Sequence, residues 1–422
     1  MRHASPLDSV SAPWKTACAE TASQEEKTVQ RTKQQAFDFI DRHREEMTAL
    51  WAILVSHESG SADKAGVDRL AERLRDILVD SGAEARIVDF EKAGNLLVAT
   101  IGADRPGRPI GLLGHYDTVF AKGTIEQRPF VIRDGKAFGP GVLDMKGGLV
   151  VLLYAIKALQ AAGYCLRPLK VILAGDEEVA HSFSNATDII RQEVAGCVAA
   201  FNFETGSIND HLVVGRKGGG TYTMEAHGVA AHTGIEPKKG RSAILELAHK
   251  IIAIHALTDW EEGTTFSVGT IQGGTTSNTT PAFASMAIDV RCLKASAEEK
   301  FLPRLRAIAE QTHIEGTRTR LSGGLGFAPM ETTPDVMRLF ELVATTSAEN
   351  GFPTPTPVQS GGGSDSSNAV IAGVPTVCAM GVKGERNHAP EEYALVDSLF
   401  ERCKLAVACI LNINALHFEG TS

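Results

Sequence analysis

Pro109-Ile110-Gly111-Leu112-Leu113-Gly114-His115-Tyr116-Asp117 carries no charge through Gly114 and then delivers a histidine and an aspartate two positions apart. A short uninterrupted apolar run is what a strand buried on both faces requires. Residues 95–100, 169–173, 198–203 and 375–380 repeat the pattern, and residues 148–162 read as a helix apolar nearly all round. Helical spacing recurs over 35–56 and 64–81, where Val67, Leu70, Leu74, Ile77 and Leu78 share one face and Gly82 ends the helix. Buried strands alternating with helices predict an α/β fold, a mixed and largely parallel sheet with flanking helices.

The rhythm changes between 218 and 331. A strand at 219–227, a helix at 242–257, strands at 265–271 and 282–292, a helix at 298–313 and a short strand near 317–321 give the order β-α-β-β-α-β. That order predicts a small ferredoxin-like α+β lid. It is inserted, because the apolar run at 375–380 still needs a sheet to join. The expected division is a polar N-terminal arm (1–32), a catalytic domain in two parts (33–217 and 332–422), and the lid between them (218–331).

Two domains also suit a chain of 422 residues. With 43% hydrophobic and 22% charged residues, the composition is that of a folded chain. The net charge of −9 argues against a nucleic-acid partner, which would call for basic excess. The most apolar stretch, 148–163, contains Lys157 and falls short of the roughly 20 residues a membrane span needs, so no membrane association is expected. The first twenty residues hold no apolar secretory core, and the seven cysteines include no C-x-x-C pair. Together these favour reduced thiols and a cytoplasmic location.

Chemistry gathers just beyond the apolar runs. His115 and Asp117 follow the first, Asp176-Glu177-Glu178 follows 169–173, Glu204 follows 198–203, and His388 lies beyond 375–380. Asp144 stands just ahead of the buried helix. Open α/β sheets bind ligands at the C-terminal edge of their strands, so these residues can converge although they span most of the chain. Singly, each has a bland reading as a structural histidine, a solvated turn or a helix cap. Together, several buried carboxylates with two histidines call for a cation, and the donor set suits zinc, with cobalt or manganese as alternatives.

The motifs His115-x-Asp117, Gly139-Pro140-Gly141-x-x-Asp144-Met145-Lys146-Gly147, Asp176-Glu177-Glu178, Glu204 and His388 occur in this order, and over about residues 35–413 the chain resembles the M20 family of co-catalytic zinc hydrolases. It is most similar to the glutamate carboxypeptidase branch, and is related to aminoacylases and desuccinylases. The resemblance implies two Zn2+ per subunit: His115, Asp144 and Glu204 on one, and Asp144, Glu178 and His388 on the other. It further implies that Asp117 orients His115 and that the Asp144–Met145 peptide is cis. Glu177 would be the general base for metal-bound hydroxide attacking an amide carbonyl. If the backbone there is extended, Glu177 and Glu178 point opposite ways, one to the water and one to metal. By the same resemblance His232, from the lid of a partner subunit, stabilises the oxyanion, which makes a homodimer through the lid the expected assembly.

Asn278 and Arg291 match family positions that hold a substrate carboxylate, and Gly361-Gly362-Gly363 resembles its glycine-rich substrate loop. An arginine can fork onto a carboxylate with two hydrogen bonds; the plainer reading pairs Arg291 with Asp289. The glutamate-specific relatives carry a further arginine near the lid's end, whereas residues 322–327 (Ser-Gly-Gly-Leu-Gly-Phe) contain none. The expected activity is hydrolysis of an amide next to a free carboxylate, as a carboxypeptidase or N-acyl-amino-acid deacylase, with an apolar released residue favoured. The rivals are a metal-dependent aminopeptidase or dipeptidase, and a non-catalytic amino-acid-binding protein on the same scaffold.

Overall fold

The computed structural model describes residues 13–416, with side chains placed from residue 27 onward. Residues 1–12 of the arm read over 1–32 lie outside the described residues. From Pro13 the chain is helical to Arg42, so the helix crosses the boundary that composition places at residue 32. A second helix, Arg44–Ser56, buries Met47, Trp51, Leu54 and Val55. The Trp51 indole donates to the carbonyl of Val142 at 3.0 Å, tying this helix to the loop that presents Asp144.

The central sheet has six strands in the order Ala83–Val88, Leu96–Ile101, Leu169–Ala174, Ile110–His115, Ala199–Asn202 and Thr376–Val377. The first two junctions are antiparallel and the other three parallel. Alternation explains the unbroken apolar runs. Leu112 and Val171 face one apolar cluster, with Leu149, Leu152 and Leu405 from the helices Gly147–Ala161 and Val396–Asn412. Their neighbours Leu113 and Ile172 face another, with Ala186, Ile190 and Ala369. Both faces are covered, so these strands are mostly apolar, and the exception Lys170 reaches out to pair with Glu193 at 2.6 Å.

One strand of this sheet is shorter than the sequence predicts, and another goes unpredicted. Residues 375–380 pair as a strand only over Thr376–Val377. Beyond it the N–H of Cys378 meets the carbonyl of Val213, in another strand, and that of Met380 returns to Asn202 of the neighbouring strand. The strand Ala83–Val88 was not apparent in the sequence, because it is an edge strand and largely half-exposed.

Residues beyond Arg216 form a second layered unit. Four antiparallel strands stand in the order Thr265–Gly273, Phe283–Cys292, Gly218–His227 and Arg318–Phe327. Two helices, Ala243–His255 and Ala297–Glu310, pack on them through Leu247, Ile254, Phe301 and Leu305 against Met224, Met286 and Ile288. The last strand outruns the sequence reading of 317–321. Pairing with Gly218–His227 carries it through Ser322, Gly323 and Gly324, residues with little strand preference of their own. Lys250 is buried against Glu246 at 3.1 Å and gives its ammonium to the carbonyls of Ile308, Ala309 and Gln311 at the end of the second helix. Glu246 accepts the N–H groups of His313 and Ile314. The two chain crossings between the units are bonded to each other, Arg216 to Met330, both ways at 3.0 Å.

Among the described residues no helix is long and apolar enough to cross a membrane. The six described cysteines are free, and all but Cys165 are buried.

Candidate metal centre

His115 is the last residue of its strand, Asp176 and Glu177 follow the end of the Leu169–Ala174 strand, and Glu204 lies two residues past Ala199–Asn202. The parallel strands therefore deliver all of them to one edge. Asp144 arrives from the side, on a kinked segment ahead of the Gly147–Ala161 helix, and its peptide bond to Met145 is cis. That helix start is pressed against the strand end: a Cβ on Gly148 would run into the carbonyl of Phe203, so only glycine fits. His388 follows the short strand Lys383–Glu385 and has a left-handed backbone, φ 64°.

Four of the predicted residues gather around a fifth, Asp144. His115 Nε2 lies 3.2 Å from Asp144 Oδ1 and 3.4 Å from Glu204 Oε1. His388 Nε2 lies 3.1 Å from Asp144 Oδ2 and 3.1 Å from Glu178 Oε2. The two oxygens of Asp144 thus serve two different histidines. Asn387, which no sequence motif singles out, adds an amide N–H to Asp144 Oδ2 at 3.2 Å. Ligand atoms of His115, Glu177 and Glu204 lie within 4.8 Å of one another, and so do those of His115, Asp144 and Glu178.

Asp117 lies beyond the end of the strand. Its carbonyl and Oδ1 sit 3.1 and 3.3 Å from His115 Nδ1, which leaves Nε2 facing the carboxylates. Oδ1 also accepts the backbone N–H of Glu177 at 3.2 Å, and Oδ2 accepts that of Glu178 at 3.2 Å and the Ser61 hydroxyl at 2.8 Å. Glu177 and Glu178 do not lie in extended backbone. They open a single 3-10 turn, Glu177–Val179, whose N–H groups are claimed by Asp117. The turn still separates the two carboxylates, with Glu178 against His388.

The electrostatics follow from burial. Desolvation pushes the Glu177 carboxyl well above the usual carboxylate range, although His115 pulls the other way. Burial also raises Glu178. Hydrogen bonds to Asp144 and then Glu178 hold His388 protonated up to about 10. For His115, burial opposes the charged ring, but Glu204, Asp117 and Asp144 outweigh it and carry the pKa well up. The Glu178 Oε1 atom is buried with no hydrogen-bond partner. A cluster of four crowded carboxylates with an orphaned oxygen has the donor chemistry of a divalent-cation site.

Three supporting groups escaped the sequence reading. Glu392 accepts the N–H groups of Gly141, Leu143 and Asp144 at 3.1, 2.8 and 3.0 Å, fixing the Asp144 loop, and burial pushes its carboxyl up to about 7. Arg216, buried, donates to the carbonyls of Gly362 and Gly363 at 3.1 and 2.9 Å. His181 stands between Asp176 and Asp365 at 2.7 and 2.9 Å.

The remaining predicted residues lie elsewhere in the hydrogen-bonding pattern. His232 is exposed and its Nδ1 accepts the N–H of Gly234. Its backbone pairs with Thr279, and the carbonyl of Asn278 accepts Thr233, so His232 and Asn278 share one edge of the second unit. Arg291 gives Nε and Nη2 to Asp289 at 3.0 and 2.9 Å, the plainer of the two sequence readings. Gly363 lies under the Phe327 ring, which a Cβ would strike.

The chain is similar to known proteins in sequence and in fold. Carboxypeptidase G2 from Pseudomonas sp. (strain RS-16) is 26% identical over 368 residues, covering 86% of this chain and 88% of that one. Succinyl-diaminopimelate desuccinylase from Sulfurovum sp. (strain NBC37-1) is 26% identical over 362 residues, 82% and 93% of the two chains. The crystal structure of aminopeptidase PepT from Bacillus cereus ATCC 10987 shares the fold, with a TM-score of 0.75 at 23% identity over 88% of this chain and 99% of that one. The family description for peptidases M20/M25/M40 matches residues 111–412. A family whose members are metal-dependent hydrolases, matched along most of the chain and along every strand that feeds the cluster, leaves one assignment: this protein is a hydrolase belonging to peptidase family M20/M25/M40.

Proposed function

We propose that the protein hydrolyses an amide bond adjacent to a free carboxylate, as a carboxypeptidase or N-acyl-amino-acid deacylase, with two divalent cations at this centre. The observation that carries the reading is the division of Asp144: one oxygen faces His115, the other His388. His115, Asp144 and Glu204 would hold one ion, and Asp144, Glu178 and His388 the other, zinc being the metal their nitrogen and oxygen donors suit. When bound, such a pair supplies Lewis acidity to a substrate carbonyl and acidifies a shared water.

Glu177 is the residue left to move protons. Its carboxylate takes the proton of the attacking water and hands it to the departing amide nitrogen. Asp117 holds the turn that carries Glu177 and fixes the ring of His115. Arg291, Asn278 and the Gly361–Gly363 loop would receive the substrate's free carboxylate. The exposed apolar residues Leu245 and Ile252 on the Ala243–His255 helix support pairing of the second unit, acting as a lid, with a second copy. In that dimer the partner's His232 would meet the oxyanion.

A second reading, an aminopeptidase or dipeptidase, draws on the Asp289–Arg291 ion pair, which already occupies part of the fork expected to take a carboxylate. Metal analysis combined with a panel of N-acyl amino acids, acetyl-capped dipeptides and free-amine dipeptides separates the two. Turnover restricted to free-amine substrates overturns the carboxypeptidase reading.

A further inference from the structure

The turn that carries Glu177 and Glu178 does not end in solvent. Ala180 and His181 both take left-handed backbone, φ 53° and 52°, a conformation that residues with a Cβ rarely adopt. They fold the chain back so that the His181 N–H meets the carbonyl of Asp176 at 3.1 Å and the ring turns inward. His181 is buried, with Nδ1 2.7 Å from Asp176 Oδ1 and Nε2 2.9 Å from Asp365 Oδ1. A ring with a carboxylate oxygen on each nitrogen satisfies both only when both nitrogens carry a proton.

Each carboxylate belongs to a different part of the site. Asp176 precedes Glu177 directly and is further held by the Ser184 hydroxyl at 2.5 Å. Asp365 stands two residues after Gly363, opens the Ser366–Ile371 helix, and accepts the Asn368 amide at 2.9 Å. The glycine loop between is fixed on its other side by Arg216, through the carbonyls of Gly362 and Gly363. The edge of the His181 ring also meets Phe327, ring centroids 6.3 Å apart, and Phe327 covers Gly363.

We propose that His181, as an imidazolium clamped between Asp176 and Asp365, is a positioning residue that fixes the Glu177 turn relative to the Gly361–Gly363 substrate loop. The role rests on the proposed function of Glu177 and the loop. It acts through geometry: the clamp holds the proton-transferring carboxylate in register with whatever the loop holds, and small misplacements at a reacting centre cost large factors in rate.

The test compares His181→Gln, Asp176→Asn, Asp365→Asn and the double variant His181→Gln/Asp365→Asn on the best N-acyl amino acid of the panel, with metal content and melting temperature recorded for each. His181→Gln should lower kcat/KM tenfold or more with metal stoichiometry unchanged. Asp176→Asn should act mainly on kcat and Asp365→Asn mainly on KM, and the double variant should be no worse than the poorer single one, because the clamp is one unit. Unchanged kcat and KM in His181→Gln, or additive losses in the double variant, overturn the proposal. If His181→Gln does not fold, the split between the two aspartate variants decides, and equal effects on kcat and KM from both overturn it. Nitrogen-15 labelling of histidine gives a readout free of turnover: both His181 ring nitrogens should be protonated at pH 8, with and without zinc, and a single protonated nitrogen overturns the clamp. Glu177→Gln separates this from the parent reading. Full turnover in Glu177→Gln sinks that reading, whereas an inactive Glu177→Gln beside an unaffected His181→Gln sinks only the clamp.

Discussion

Asp117 Oδ1 accepts the backbone N–H of Glu177 at 3.2 Å, so one carboxylate joins the strand end that carries His115 to the turn that carries the proposed base. Replacing it should disturb both. Asp117→Ala is expected to weaken metal binding by about 10–100-fold, the range typical for partners that orient a ligand. Asp117→Asn, which keeps an oxygen acceptor, should lose less. Competition with a chromophoric chelator measures the affinities, and wild-type values in both variants would contradict the bridging role.

Glu177→Gln removes the proton acceptor with almost no change in shape. Turnover should fall by at least about 10²-fold, the lower end of what a positioned acid–base group contributes. Metal content by elemental analysis should stay at the wild-type level. Retained turnover would move the base assignment to another residue.

Stripping divalent ions should abolish activity and leave the carboxylates of Asp144, Glu178 and Glu204 crowded without compensation. Dialysis against chelator followed by zinc, cobalt or manganese should restore turnover. Zinc at about a thousand times its Kd would return about 4 kcal/mol of stability, visible as a rise in melting temperature. A chelated protein that melts unchanged and remains active is incompatible with the proposed centre.

Residues 322–327 contain no arginine, and Phe327 lies over Gly363 in the proposed substrate loop. Acyl-phenylalanine and acyl-leucine should therefore show higher kcat/KM than acyl-glutamate. Steady-state kinetics on the three substrates decide the matter, and a strong preference for acyl-glutamate would place a carboxylate-binding cation elsewhere.

Acid should loosen the second unit first through Glu246. Burial opposes its ionisation, but the Ile314 N–H and Lys250 outweigh it, and the folded pKa lies below the ordinary 4.5. The unfolded chain therefore takes up the proton more readily. The carboxylate's stabilisation is present above about pH 4.5 and is lost as pH falls through the lowered folded value. Lys250→Met, which leaves Glu246 buried without its cation, should cost about 3–5 kcal/mol. Denaturant titrations across pH 3–7 should show the wild-type acid slope reduced in Glu246→Gln.

The strands were legible where two faces are buried, because Leu112 and Leu113 each face a core and neither can be polar. Ala83–Val88 was not, since an edge strand half-open to water has no such constraint. His115, Asp176-Glu177-Glu178 and Glu204 could be picked out because strand ends in a parallel sheet share an edge, whereas the division of ligands, with Asp144 and His388, rested on the family resemblance. What escaped was everything defined by a distant partner. Glu392 looks like one more surface acid in Pro390-Glu391-Glu392 until its oxygens are seen on three N–H groups some 250 residues earlier. His181 follows Asp-Glu-Glu by three positions, a visible signal, but its second contact at Asp365 exists only in the folded chain. Arg291 reads equally as a substrate fork or as a partner for Asp289 until the pairing is observed.

The arrangement of Asp144 between His115 and His388 also sets a timetable. A ribosome synthesises the first histidine early and the second only after the whole inserted unit has emerged. In the proposed two-ion centre the ligand set of His115, Asp144 and Glu204 would be complete in sequence while the other still lacked its imidazole, so a second ion would have no full ligand set until translation is almost complete.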